Sequence, residues 1–289
     1  MNRRMILCML GQILTLEAGL MLLPLEVSLI YREYHALIPF LTTILLSLSV
    51  GIALQLICRV KNQVIFAREG FMIVTLAWIM LSLFGALPFY LSREIPSYID
   101  AFFETVSGFT TTGASILTDV ERMSHGMLFW RSFTHWIGGM GIIVLIMAIL
   151  PTSNGRTMHI MRAEMPGPIV GKLVPKVRDT AKILYVIYIV LTLIEATMLI
   201  CGGMSPFDSF VHSFGTAGTG GFGIHGDCLA RYSPYCQWVI AIFMLIFGVN
   251  FNLYYLLLIR RFRSVFKSEE LRAYIGIVLV SVTAITLNI

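Results

Sequence analysis

Long apolar stretches restrict the fold of this chain more than any other feature. Six of them approach or exceed the roughly 20 residues that a helix needs to cross the ~30 Å hydrocarbon layer of a membrane, and a seventh begins near Leu271. The six cover approximately residues 5–30, 37–58, 71–91, 126–150, 183–203 and 236–259. Because lipid offers no hydrogen bonds to a backbone, each stretch must satisfy its polar groups within a helix. The sequence therefore predicts an all-α polytopic membrane protein.

The composition excludes a water-soluble fold. The chain is 57% hydrophobic and 13% charged, with a mean hydropathy of +0.83, and a soluble domain of this size has no interior that could bury so much apolar surface. The net charge of +5 does not form the basic, aromatic-interleaved patch of a nucleic-acid-binding domain. We therefore expect the lipid bilayer, and no nucleic acid, as a partner.

Basic residues predict the orientation of the chain. Most of its 21 Lys and Arg residues lie before the first apolar stretch or after the second, fourth and sixth, which are alternate connections. The cytoplasmic loops of membrane proteins carry the excess of Lys and Arg. The N-terminus and these basic connections are therefore expected in the cytoplasm.

One pattern occurs twice, 108 positions apart. Residues 100–115 read DAFFETVSGFTTTGAS and residues 208–223 read DSFVHSFGTAGTGGFG. Each copy is a short amphipathic segment followed by a Thr/Gly run, and Ser97 and Ser205 stand where they can cap the two segments. Segments of about eleven residues are too short to span the membrane. The pattern predicts two re-entrant pore helices, each followed by a filter loop.

The two Thr/Gly runs predict a cation pathway lined by carbonyl groups. Main-chain carbonyls arranged around an axis can replace the hydration shell of a cation. Neighbouring carbonyls share an axis only where some residues have positive φ, which glycine adopts without steric cost. A single such run would be a tight turn or a linker, but two runs at a fixed offset favour a filter. The predicted cation-binding positions are Thr111, Thr112 and Gly113 in the first copy and Thr219, Gly220 and Gly221 in the second.

The repeat divides the chain into five predicted segments. They are two additional N-terminal transmembrane helices in residues 1–70, a first pore repeat in 71–153, a cytoplasmic linker in 154–181, a second pore repeat in 182–266 and the outer helix of a third in 267–289. Each complete repeat is expected to hold an outer helix, a pore helix, a filter loop and an inner helix.

Two further features concern individual side chains. Glu195 lies inside an apolar stretch, where a carboxylate suggests a function by default, and we expect it to form a structural pair with Arg131 or His135. The five cysteines lack metal-ligand spacing. Cys228 and Cys236 share one outside loop, so a disulfide between them remains open.

At these residues the chain resembles the membrane subunit of Trk-type potassium uptake systems, in the TrkH/KtrB superfamily. The likeness is carried by residues 107–115 (SGFTTTGAS), 131–141 (RSFTHWIGGMG) and 162–168 (RAEMPGP) with 180–182 (TAK), the last of which indicates the TrkH branch. It implies a K⁺ pore of four potassium-channel-like repeats in the bacterial plasma (inner) membrane. It also implies a homodimer, a cytoplasmic nucleotide-binding ring of the TrkA type as regulator, no organic cofactor and no enzymatic activity.

The chain departs from the pattern of that family, because it carries two filter runs where the family carries four. Its end inside an apolar helix favours a truncation to about the first half. Two interpretations follow: the pore-forming subunit of potassium uptake, or a non-conducting half-transporter that needs dimerisation or a second chain. An intramembrane hydrolase is a third hypothesis, but no Gly-x-Ser-x-Gly elbow accompanies its Ser and His residues.

Overall fold

The computed structural model describes residues 3–58, 67–141 and 177–288, and within these ranges all regular structure is helical. The all-α prediction is thereby confirmed. The N-terminal part comprises α1 (Arg3–Leu20), α2 (Leu22–Ile30), α3 (Tyr34–Ile57), α4 (Ala67–Gly85), α5 (Leu87–Leu91), α6 (Tyr98–Phe109) and α7 (His125–Met140). The C-terminal part comprises α8 (Val177–Cys201), α9 (Pro206–Ala217), α10 (Pro234–Phe247), α11 (Phe251–Leu258), α12 (Phe262–Phe266) and α13 (Glu269–Asn288).

Five helical segments of the described residues are long and apolar enough to cross a membrane. They are Arg3–Ile30, Tyr34–Ile57, Arg68–Leu91, Ala181–Cys201 and Glu269–Asn288, in agreement with five of the predicted stretches. Of the predicted stretch 126–150, α7 forms the first part, and its remainder lies outside the described residues. The linker predicted for residues 154–181 also lies largely outside them.

The predicted stretch 236–259 is not one continuous helix, because α10 and α11 meet at an angle of 91°. Gly248 ends α10, and the side chain of Asn250 caps α11 by accepting from the N–H of Asn252 (3.0 Å). The hydroxyls of Tyr254 and Tyr274 donate to carbonyls in the last turn of α10, at 2.6 Å and 3.0 Å. These bonds satisfy groups that a helix end leaves unpaired, so the break is stable without a proline.

The N-terminal helices are attached to the first repeat through close backbone contact. α1 packs along α3 and α4, and α2 packs against α7. At the crossing of α1 and α3, a Cβ on Gly11 would lie 2.6 Å from the carbonyl oxygen of Gly51, and a Cβ on Gly51 would lie 2.9 Å from that of Gly11. Small residues of this kind allow membrane helices to approach closely.

The two copies of the sequence pattern form matching elements. The helices α6 and α9 each contain 12 residues, and both their first and their last residues are 108 positions apart. Both pack against α7, which therefore lies between the two repeats and positions their loops.

Candidate ion pathway

Both pore helices begin with the cap that the sequence predicts. The Ser97 hydroxyl oxygen accepts from the N–H of Asp100 (3.4 Å), and the Ser205 hydroxyl oxygen accepts from the N–H of Asp208 (3.1 Å). Each aspartate lies in the first turn of its helix, where a carboxylate interacts favourably with the positive end of the helix dipole. The negative ends of both helices consequently point toward the Thr/Gly loops.

Both pore helices also end in the same way. Thr111 (φ 55°) is left-handed; its N–H bonds to the carbonyl of Gly108 (3.0 Å), and the next N–H bonds to the carbonyl of Ser107 (2.9 Å). These two bonds are typical of a helix end at which one residue turns left-handed. In the second copy the N–H of the left-handed Thr219 (φ 56°) bonds to the carbonyl of Thr216 (2.8 Å), and the N–H of Gly220 bonds to that of Gly215 (3.1 Å).

The left-handed residues of the two loops are glycines and threonines. Gly113 and Gly221 both have φ of 75°, as the requirement for converging carbonyls predicts. The sequence did not predict the left-handed threonines, because a helix end of this type usually has glycine at that position. A left-handed L-residue costs roughly 1–2 kcal/mol, and strain of this kind is concentrated at functional sites.

The two Thr/Gly loops contact each other. A Cβ added to Gly113 would overlap the carbonyl oxygen of Gly220, so the backbones of the loops meet with no room for a side chain. In α7, Gly138 packs on the carbonyl of Phe109 at the end of α6. A Cβ on the neighbouring Gly139 would lie 3.0 Å from the carbonyl of Ala217 at the end of α9. The predicted site residues of both copies are therefore brought together.

A cavity of about 410 Å³ adjoins both loops. Its lining includes Thr111, Thr219, Trp78, Gly139 and Phe247. Since one water occupies about 30 Å³ of liquid, the cavity has room for a hydrated cation. It also reaches Gly141, which ends α7 at φ 80°, and Gly248, which ends α10. The described ends of α7 and α10 therefore both border this cavity.

One buried ion pair lies beside the loops, and it is not the expected one. Arg131 of α7 pairs with Glu104 of α6 (Nε to Oε1, 2.6 Å), and the two side chains are 3% and 0% exposed. The predicted pairing of Glu195 with Arg131 or His135 is wrong. Glu195 is buried in α8, and neither of its carboxyl oxygens has a hydrogen-bond partner among the described residues. The sequence did not reveal this pairing, because spacing along the chain does not identify a partner on another helix.

The second loop has an aromatic support that the sequence analysis missed. Phe222, directly after Gly221, stacks on the ring of His135 with centroids 3.9 Å apart. The guanidinium of Arg131 lies 3.5 Å from the Phe222 ring centre, which is a favourable cation–π distance. A Cβ on Gly220 would overlap the His135 ring. The back of the second loop is therefore packed against α7.

Acidic side chains surround the connections that follow the two Thr/Gly loops, and several are paired with arginine. Arg231 contacts Glu121 (3.0 Å) and Asp227 (3.1 Å), and so joins these connections of the two repeats. The hydroxyl of Tyr232 donates to Asp208 (3.2 Å). Partial burial and the carboxylate of Asp208 raise the pKa of Tyr232, which keeps its proton in place for that bond.

Glu94 connects the outer turn of the first repeat to α7. Its carboxylate accepts from the N–H (3.0 Å) and the hydroxyl (2.7 Å) of Ser124, which precedes α7, and it lies 3.5 Å from His35. Burial raises the pKa of Glu94 against the opposing effect of these bonds.

All five cysteines are free thiols, which resolves the open question of a disulfide. Cys228 is exposed, whereas Cys236 is buried and contacts the carbonyl oxygens of Leu199 and Gly202. Among the described residues, no group of three or more His, Cys, Asp or Glu side chains could hold a metal ion.

Capped re-entrant helices, paired left-handed loops and a cavity beneath them define a polytopic membrane protein built from pore-loop repeats. Residues 38–285 match the family described as TrkH, cation transport protein. The chain belongs to this TrkH family, as the resemblance in residues 107–115 and 131–141 predicted.

Individual relatives agree with this assignment. The Trk system potassium uptake protein TrkH of Salmonella typhimurium (strain LT2) is 42% identical, over 99% of this chain and 60% of the relative. Its counterpart in Escherichia coli (strain K12) is 41% identical over the same shares. The crystal structure of the potassium transporter TrkH from Vibrio parahaemolyticus superposes with a TM-score of 0.75 at 36% identity, covering 88% of this chain and 52% of that one. The chain thus spans about 60% of the length of the curated relatives it matches.

Proposed function

We propose that this chain forms part of the pore of a Trk-type potassium uptake system. The observation that carries the proposal is the pair of loops in which Thr111 and Gly113 match Thr219 and Gly221 in conformation, 108 residues apart and in contact over one cavity. The similar proteins are named for potassium uptake, which supports the proposal. The chain acts as a transporter and not as an enzyme.

In this proposal K⁺ exchanges its water shell for main-chain carbonyl oxygens. The proposed ligands are the carbonyls of Thr111, Thr112 and Gly113 and those of Thr219, Gly220 and Gly221. The negative ends of α6 and α9 stabilise the cation as it leaves the loops, and the cavity of about 410 Å³ allows it to regain water. In this proposal the arrangement of these carbonyls, which replace the water shell of the ion, is the source of selectivity for K⁺ over Na⁺.

The two loops line only part of a pore axis, so further loops must complete it. We infer that these come from further segments of a longer chain, because this chain spans only about 60% of the length of its relatives. The proposed assembly is a homodimer in the bacterial inner membrane, with the N-terminus in the cytoplasm and a TrkA-type nucleotide-binding ring as regulator.

A half-transporter that needs dimerisation or a second chain is the alternative. The observation in its favour is α13, an apolar helix in which no residue is buried. Apart from the bonds of Tyr274 to Leu245 and of Glu270 to Asn250, its surface is free to receive another repeat or another chain.

Uptake measurements test the proposal. The chain is expressed in a bacterial strain without potassium uptake, alone and together with a second chain that supplies the remaining repeats of a relative. We expect growth at low K⁺, and uptake of ⁸⁶Rb⁺ in preference to ²²Na⁺, in at least one arm. Activity of the chain alone supports completion by dimerisation, and activity only with the second chain supports the longer pore. Equal uptake of both ions would contradict the selectivity.

A further inference from the structure

The buried ion pair contacts the outer ends of both Thr/Gly loops. Glu104 accepts from the hydroxyl of Ser115 (2.9 Å) and from the N–H of Ile116 (3.0 Å), just beyond the first loop. Arg131 donates from Nη1 to the carbonyl oxygen of Gly223 (3.0 Å), just beyond the second loop. Ser115 and Gly223 are 108 positions apart and occupy the same place in the two copies. One ion pair therefore holds two equivalent points of the pathway.

The pair is shared between the repeats and is not duplicated in them. At the position equivalent to Glu104 the second copy has His212, and at the position equivalent to Arg131 it has Val239. His212 is buried and packs edge-on against Tyr232, with ring centroids 5.3 Å apart. Among the described residues no second ion pair takes the equivalent place, and the end of the second loop bonds to Arg131 of the first repeat instead.

A buried ion pair is better suited to fixing geometry than to adding stability. The desolvation of two charges offsets most of their mutual attraction, and apolar residues of similar volume often stabilise a fold equally well. Because the hydrogen bonds of a guanidinium form a rigid fork, Arg131 relates Glu104 and Gly223 at a defined distance. Neither side chain is placed at the ion-binding carbonyls; both act through the backbone that follows the loops.

We propose that Glu104 and Arg131 are positioning residues that set the separation of the two Thr/Gly loops and, through it, the selectivity of the pathway for K⁺ over Na⁺. The claim about selectivity rests on the proposed function. The claim about the separation of the loops does not, because that distance can be measured in a protein that transports nothing.

Loop separation is measured with spin labels at Ile116→Cys and Gly223→Cys, in a chain whose five native cysteines are replaced by serine. Ile116 is 46% exposed, and a Cβ on Gly223 meets no atom closer than 3.5 Å. Both substitutions keep the main-chain groups that the ion pair holds. Pulsed electron paramagnetic resonance should give a narrow distance distribution for the parent chain and a broader, shifted distribution for Arg131→Gln.

Two further variants address misfolding and specificity. The double variant Glu104→Gln with Arg131→Met leaves no unpaired buried charge, and it should also broaden the distribution. Arg231→Gln is the matched control, because Arg231 and Glu121 form an ion pair between the connections that follow the two loops (3.0 Å) but are 44% and 48% exposed. This control should leave the distribution unchanged.

Selectivity is measured in proteoliposomes as the ratio of ⁸⁶Rb⁺ to ²²Na⁺ uptake, with the second chain present if uptake requires it. The ratio should fall about tenfold in the double variant, equivalent to about 1.4 kcal/mol of discrimination, and stay unchanged in Arg231→Gln.

An unchanged distance distribution in both Arg131 variants, or equal broadening in the control, would overturn the positioning role. Broadening with an unchanged ratio would overturn its effect on selectivity. If the parent transports neither ion, the proposed function fails, and the distances alone decide the positioning role.

Discussion

Thr111 and Thr219 adopt the same left-handed conformation, with φ of 55° and 56°, although 108 residues separate them. Each stands directly after the last turn of a pore helix and at the edge of the cavity. Two β-branched residues in so unfavourable a conformation indicate that the surrounding structure imposes it. The repeated strain supports the proposal that these positions belong to the pathway.

Replacing Thr111 or Thr219 by glycine should raise stability and lower selectivity. Glycine adopts the left-handed conformation freely, so each change should remove about 1–2 kcal/mol of strain, while the loop becomes more mobile. Thermal unfolding in detergent measures the first effect, and the ⁸⁶Rb⁺ to ²²Na⁺ uptake ratio the second. Thr110→Gly is the control, because Thr110 has φ of −82° and its hydroxyl bonds to Val106 (2.7 Å). A higher melting temperature in the control than in the Thr111 variant would contradict this account.

Gly113→Ala should impair uptake more than Gly221→Ala. Both glycines have φ of 75°, but a Cβ on Gly113 overlaps the carbonyl of Gly220, whereas a Cβ on Gly221 meets only Met244, at 3.7 Å. The second change therefore adds strain of about 1–2 kcal/mol, and the first also displaces the neighbouring loop. Initial rates of ⁸⁶Rb⁺ uptake at equal expression make the comparison. Gly226→Ala, where the added Cβ meets nothing within 4 Å, should behave as the parent; the reverse order for Gly113 and Gly221 would refute the proposed loop contact.

Gly51→Ala should loosen the N-terminal helices. Its Cβ would lie 2.7 Å from the hydroxyl oxygen of Thr15 and 2.9 Å from the carbonyl oxygen of Gly11, so α1 and α3 must separate. Overpacking of this kind costs about 1–3 kcal/mol, which a lower melting temperature would show. Gly19→Ala, in the same helix pair but with nothing within 4 Å, should stabilise the chain by up to about 1 kcal/mol. Equal melting temperatures for the two variants would argue against the close crossing.

Glu94→Gln should change how stability depends on pH. Because burial raises the pKa of Glu94 above its ordinary value of 4.5, the folded chain holds that proton more tightly than the unfolded chain does. The stabilisation is fully present below pH 4.5 and is lost as the pH rises through the raised pKa. The glutamine variant carries no such proton, so its melting temperature relative to the parent should increase with pH across this window.

Ser124→Ala tests the same site by removing the hydroxyl that bonds to the Glu94 carboxylate. The Ser124 hydroxyl bonds to Glu94 (2.7 Å) and opposes the rise of the pKa. Its removal should raise that pKa further and enlarge the loss of stability toward neutral pH. If the difference in melting temperature between Glu94→Gln and the parent did not change with pH, burial would not determine the pKa of the Glu94 carboxyl.

The apolar stretches, the twofold pattern and both pore-helix caps follow from the sequence alone. These features depend on residues close together in the chain: hydropathy over about 20 positions, a serine three residues before a free N–H, and a glycine where φ must be positive. For that reason α6 and α9 coincide with the predicted pore helices, and Gly113 and Gly221 have the predicted backbone conformation.

The tertiary structure alone decided which distant groups meet. Arg131 pairs with Glu104 and not with Glu195, because the rotation and depth of each helix determine which side chains face one another, and spacing along the chain does not record them. The bend after α10 depends on Tyr274 of α13, and the left-handed conformation of Thr111 is sustained only by its packed surroundings. Interactions between residues close together in the sequence thus define the helices and their caps. The packing between the helices determines the contacts that shape the proposed pathway.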